Sequence, residues 1–103
     1  MLTKYELWQL LDTIQSDDSA RRDAAWLELL RHDEDAVEPL IEEFYSGVNE
    51  ATGLVILESL GAIGGPDALL ALVDVANNAP KESWREIAAK GVQDNGWDDV
   101  LKG

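Results

Sequence analysis

The chain has 103 residues, with 8 Lys and Arg against 21 Asp and Glu, for a formal charge of −13. No Cys and a single His exclude disulfides, thiolate metal sites, Cys nucleophiles and any site needing two imidazoles from one chain. No apolar run approaches the roughly 18 residues of a membrane span and no signal peptide is visible, so a cytoplasmic location is expected, and the net charge repels nucleic-acid phosphate.

An apolar content of 46% argues for one folded domain in spite of the charge. Leu7, Leu10, Leu11 and Ile14 make the stripe of a first short helix. Ser16-Asp17-Asp18-Ser19 then offers caps that end one helix and start the next. The second helix carries Ala20, Ala24, Leu27 and Leu30 as its stripe, with Trp26 and Leu29 on the flanks. His32-Asp33-Glu34-Asp35 reads as a polar connector that terminates this helix and caps the third; its consecutive carboxylates lack the spacing and the glycine of a calcium loop. Ala36, Val37, Leu40, Ile41 and Phe44 form the third stripe, with Pro39 expected in the first turn and Gly47 closing the helix.

Asn49 is a good N-cap for a fourth helix. Ala51, Leu54, Val55, Ile56, Leu57, Leu60 and Ile63 are apolar around most of its circumference, as in a helix covered on several sides. Gly64-Gly65 breaks this helix and Pro66 opens the fifth, whose stripe is Ala68, Leu69, Leu72, Val73 and Ala76. That glycine pair is not a phosphate loop, because it follows a helix and no P-loop Lys or Ser/Thr succeeds it. After Asn77-Asn78-Ala79-Pro80, Trp84, Ile87, Ala88 and Val92 mark a sixth helix. Asn95-Gly96 ends it, and Trp97, Val100 and Leu101 suggest a last turn that docks back. No β-type alternation occurs, so the fold class is all-α with about six helices.

The helices repeat. Ala20, Ala24, Ala25 and Leu29 superpose on Ala51, Val55, Ile56 and Leu60 at a shift of 31, and Val55, Ile56 and Leu60 on Ile87, Ala88 and Val92 at a shift of 32. The segment 36–41 superposes on 68–73 at 32, and the first helix on the third at 30. With the two helices of a unit named A and B, the order is B, A–B, A–B, A.

The run from Leu57 to Leu72, LESLGAIGGPDALLAL, resembles the core of a HEAT repeat, most closely the short HEAT-like repeats named after phycobilisome lyases. The resemblance implies a short right-handed α-solenoid of antiparallel helix pairs, whose relatives mostly bind other macromolecules through a concave face lined by B helices. The implied organisation is an N-terminal cap helix at 1–17, repeats at 18–47 and 48–79, and a partial repeat or C-terminal cap at 80–103. Some relatives handle bilin chromophores. One branch is a di-iron hydroxylase that needs His-Glu pairs, which this chain lacks.

Equivalent positions on the three B helices form rows: Trp8, Glu38 and Leu70; Asp12, Glu42 and Asp74; Gln15, Tyr45 and Asn77. The second row is acidic in every unit. The expected site is therefore a partner-binding face of Trp8, Asp12, Glu38, Glu42, Tyr45, Leu70 and Asp74, taking a basic protein without cofactor or catalysis. Two other readings stand beside it: a small acidic inhibitor, such as an immunity protein, antitoxin or DNA mimic, that blocks a nuclease-like basic site; and an accessory factor in tetrapyrrole or pigment-protein handling. Trp26 and Trp84 are read as interhelical filler, while Trp8 and Trp97 are read as either partner contacts or cap plugs. An apolar Ile87/Val92 edge on the sixth helix would let a second copy pair as a homodimer.

Overall fold

The structure is a computed structural model that describes residues 2–97. Six helices follow one another: α1 (Lys4–Ile14), α2 (Ser19–His32), α3 (Glu34–Ser46), α4 (Glu50–Ile63), α5 (Pro66–Asn78) and α6 (Glu82–Asp94). Among the described residues there is no strand. Val100 and Leu101, expected to dock back, and the acidic pair Asp98-Asp99 lie outside the described residues.

Local chemistry sets most of the boundaries. Thr3 and Glu6 form a capping box at α1: the Thr3 hydroxyl accepts from the Glu6 N–H at 3.1 Å, and Glu6 accepts from the Thr3 N–H at 3.4 Å. Asp18 caps α2 by accepting from the N–H groups of Ala20 and Arg21 at 3.0 and 3.2 Å. Asn49 caps α4 through the Thr52 N–H at 2.8 Å. Pro66 opens α5 where its missing N–H costs nothing. At the end of α4, Gly64 has φ +74°, and an added Cβ there would come within 3.0 Å of Asn95. The Asn95 amide donates to the Gly61 carbonyl at 3.0 Å, so a side chain just past α6 satisfies a carbonyl in the last turn of α4.

The connector expected at 32–35 is shorter. Asp33 alone joins α2 to α3, at φ +49° and with no side-chain capping bond, while Glu34 and Asp35 belong to the first turn of α3. Pro39 therefore falls two residues deeper than expected, inside α3, where the N–H it lacks would have met the Asp35 carbonyl.

The three odd-numbered helices bury matching columns: Leu7, Val37 and Leu69 in one, Leu10, Leu40 and Leu72 in the next. In the even-numbered helices Ala25, Ile56 and Ala88 form one buried column and Leu29, Leu60 and Val92 another. This corrects the stripe expected for α2. Ala20 and Ala24 are exposed, Leu27 is 56% exposed, and Leu30 is half-buried; the core instead takes Ala25 and Leu29. Leu27 is apolar but lies on the far side of the helix from Leu29, and the two small alanines beside it made that side look continuous. The Ile87/Val92 edge is likewise not open: Val92 is fully buried and Ile87 half-buried against the core.

Helix α4 touches all five others, which accounts for its apolar circumference. Among the odd helices, α1 meets α3 and α3 meets α5; among the even ones, α2 meets α4 and α4 meets α6. Trp84 is buried on α6, its ring over Gly53 and edge-on to Phe44 at 4.9 Å between centroids, and its Nε1 donates to the Glu50 carbonyl at 3.1 Å. Trp26 and Trp97 are half-buried. Ser59, fully buried on α4, donates to the Val55 carbonyl at 2.7 Å and so leaves no orphan hydroxyl.

Candidate functional site

All nine residues of the three rows expected on the odd-numbered helices are exposed. Their spacing on α3 and α5 places Glu38, Glu42 and Tyr45 beside Leu70 and Asp74, and these five line one groove of about 850 Å³. Trp8 and Asp12 line a separate recess of about 270 Å³ with Gln15, Glu43 and Thr52. Of the seven expected residues, five line the groove and two line the recess beside α3.

The groove has an uneven chemistry. Val37, Ile41, Leu70 and Ala71 give it an apolar floor, and Glu34, Asp35, Glu38, Glu42, Asp67 and Asp74 supply carboxylates around it. No Lys, Arg or His lines it. Among the described residues, none of these carboxylates forms an ion pair. Leu70 is 58% exposed at the centre of the α5 wall. Glu34, Asp35 and Asp67 were not anticipated as site residues. The signal was present, because Asp35 and Asp67 stand 32 residues apart in the same repeat column, but a connector reading of 32–35 hid it.

Two aromatic side chains are tied in place across neighbouring helices. The Tyr45 hydroxyl donates to Asp74 Oδ2 at 2.5 Å, and the Asn78 amide donates to Asp74 Oδ1 at 3.0 Å. Partial burial, then the hydrogen bond to Asp74 and its negative charge, push the Tyr45 phenol up to about 12. The Trp8 Nε1 donates to Glu43 Oε2 at 2.8 Å, and the Lys4 ammonium sits 5.3 Å from the Trp8 ring centre. Both rings are half-exposed yet held, so a ligand meeting them would lose little side-chain entropy in ordering them.

Among the described residues, no group of three or more His, Asp or Glu converges as a metal site, and no helix is long and apolar enough to cross a membrane. Against protein-family models, curated proteins and solved structures, the chain gives no match.

Proposed function

We propose that the chain is a non-enzymatic protein-interaction module of the HEAT-like type, working in the cytoplasm without a cofactor, and that it binds a basic partner in the groove between α3 and α5. The observation that carries this reading is the pairing of an apolar floor with six carboxylates and no cation. Such a groove favours a cationic amphipathic helix, whose apolar side meets Leu70 and Ile41 while Lys or Arg flanks meet the acidic rims. The solenoid part of the proposal is supported by neighbour order, odd helices meeting odd and even meeting even, and by buried columns at the repeat spacing.

Titration with a synthetic helical peptide carrying Leu at i, i+3, i+4 and i+7 and Lys elsewhere tests it. Wild type binds, and E38K/E42K weakens binding by at least about tenfold. Equal affinity for the two proteins overturns the proposal. The same groove also suits a small inhibitor of a basic enzyme site, favoured by the charge of −13. That reading requires an association rate that falls steeply with salt and a target that loses activity on binding.

A further inference from the structure

Of the four asparagines in the chain, only Asn95 is followed by glycine. The pair forms the end of α6. Gly96 has φ +79°, its N–H donates to the Gln93 carbonyl at 2.9 Å, and the Trp97 N–H donates to the Val92 carbonyl at 2.9 Å. These two bonds make a Schellman motif, which requires glycine at position 96 because a side chain is strained at that φ. Trp97 packs against the core just past the turn. The Asn95 side chain reaches the other way. Its amide donates to the Gly91 carbonyl one turn back at 2.7 Å, and to the Gly61 carbonyl of α4 at 3.0 Å. Asn95 is exposed to solvent and its amide is the bolt between the ends of α4 and α6.

Asparagine is thermolabile, and most so before glycine, where no Cβ on the next residue hinders ring closure. The Gly96 nitrogen gives its proton to solvent base and attacks Asn95 Cγ. The bond from Cγ to Nδ2 breaks, ammonia leaves, and a succinimide joins positions 95 and 96. Water then opens the ring at either carbonyl, leaving aspartate or isoaspartate at position 95. The folded geometry opposes the first step twice. Cγ has to swing forward onto the Gly96 nitrogen, away from the Gly91 and Gly61 carbonyls, and the Gly96 N–H has to leave the Gln93 carbonyl.

We propose that Asn95 is a site of spontaneous deamidation, that the closed α4/α6 junction protects it, and that its conversion loosens that junction. The new carboxylate has no proton to donate, so the Gly61 carbonyl loses its side-chain donor. A negative charge is added at the C-terminal ends of two helices, beside Asp94, where the helix dipole disfavours it. Isoaspartate also lengthens the main chain by one atom and moves Gly96 and Trp97 off the carbonyls they cap. The change runs one way, and each converted molecule opens more readily than before.

Peptide mapping by mass spectrometry tests the proposal on protein held in mildly alkaline buffer, folded or unfolded in guanidinium chloride. Asn95 converts ahead of Asn49, Asn77 and Asn78 in the unfolded chain, and at least about tenfold more slowly in the folded one. In the unfolded chain G96A slows the conversion, a comparison that does not depend on folding. Protein converted while unfolded and returned to native buffer, and N95D, exchange the amide hydrogens of 92–97 at least about tenfold faster than fresh wild type, while those of α1 change less. Equal rates at Asn95 in folded and unfolded protein overturn the proposal, as does a lead by any other asparagine in the unfolded chain. Exchange at 92–97 that is unchanged, or that quickens evenly along the whole chain, removes the loosening of this junction.

Discussion

The junction of α4 with α6 and the junction of α2 with α4 join equivalent helices of successive units, yet they pack differently. In the first, Gly61 and Gly91 bring two backbones together, with an added Cβ on Gly61 lying 3.3 Å from the Gly91 Cα, and Trp84 closes over Gly53. In the second, the repeat shift places Arg22 and Leu30 in the columns of Gly53 and Gly61. A leucine stands where the tight junction has a glycine, and no tryptophan covers the start of α2. One repeat pattern therefore yields a tight C-terminal junction and a looser N-terminal one, and the difference resides in two columns of small residues. The loose side is also where Ala20, Ala24 and Leu27 of α2 are exposed and a groove of about 860 Å³ lies between α1 and α2.

The largest effect expected from breaking this contrast is that of W84A. It empties the site over Gly53, removes the bond to Glu50 and costs about 3–5 kcal/mol in urea unfolding. G53A comes next. Its new Cβ would lie 2.5 Å from the Trp84 ring, so overpacking costs about 1–3 kcal/mol even though Ala is the better helix former. The matching substitution on the loose side, R22A, removes an exposed side chain and stays within about 0.5 kcal/mol of wild type. Equal losses for G53A and R22A would show that the two junctions are packed alike.

The smallest effect concerns the Tyr45–Asp74 bond, which links α3 to α5 on the groove side. Since the folded phenol titrates at about 12 and the ordinary value is 10.0, its contribution is complete below about pH 10 and is lost as pH rises toward 12. Ultraviolet titration, assigned with Y45F, should show D74A bringing this ionisation down toward the ordinary range. No change in D74A removes the bond as the cause.

The six helices were legible because caps and breakers are local: Asp18, Asn49 and Gly64-Gly65-Pro66 act through backbone groups a few residues away. The buried side of α2 was less so. Its own pattern offered two apolar lines, and superposition on α4, which is apolar around most of its circumference, matched members of both, so only the packing separates buried Ala25 and Leu29 from exposed Ala20 and Ala24. The groove was partly legible for a related reason. The shift of 32 between α3 and α5 keeps Glu38, Glu42, Leu70 and Asp74 on facing walls. At the shift of 30, α1 also stays beside α3, and Trp8 and Asp12 line a recess with Glu43 of that helix. Glu34 and Asp35 escaped because first-turn carboxylates of a helix are as polar as a connector, so the run 32–35 read as one although Asp33 alone joins the helices.

Contact of α4 with every other helix bears on how the molecule comes apart. A linear array in which each unit leans only on its neighbours can fray from its tips while the middle persists. Here the α1/α2 pair and the α5/α6 pair both lean on α4, so releasing that helix withdraws support from both ends together. Urea unfolding is accordingly expected as one transition, with circular dichroism and tryptophan fluorescence changing together.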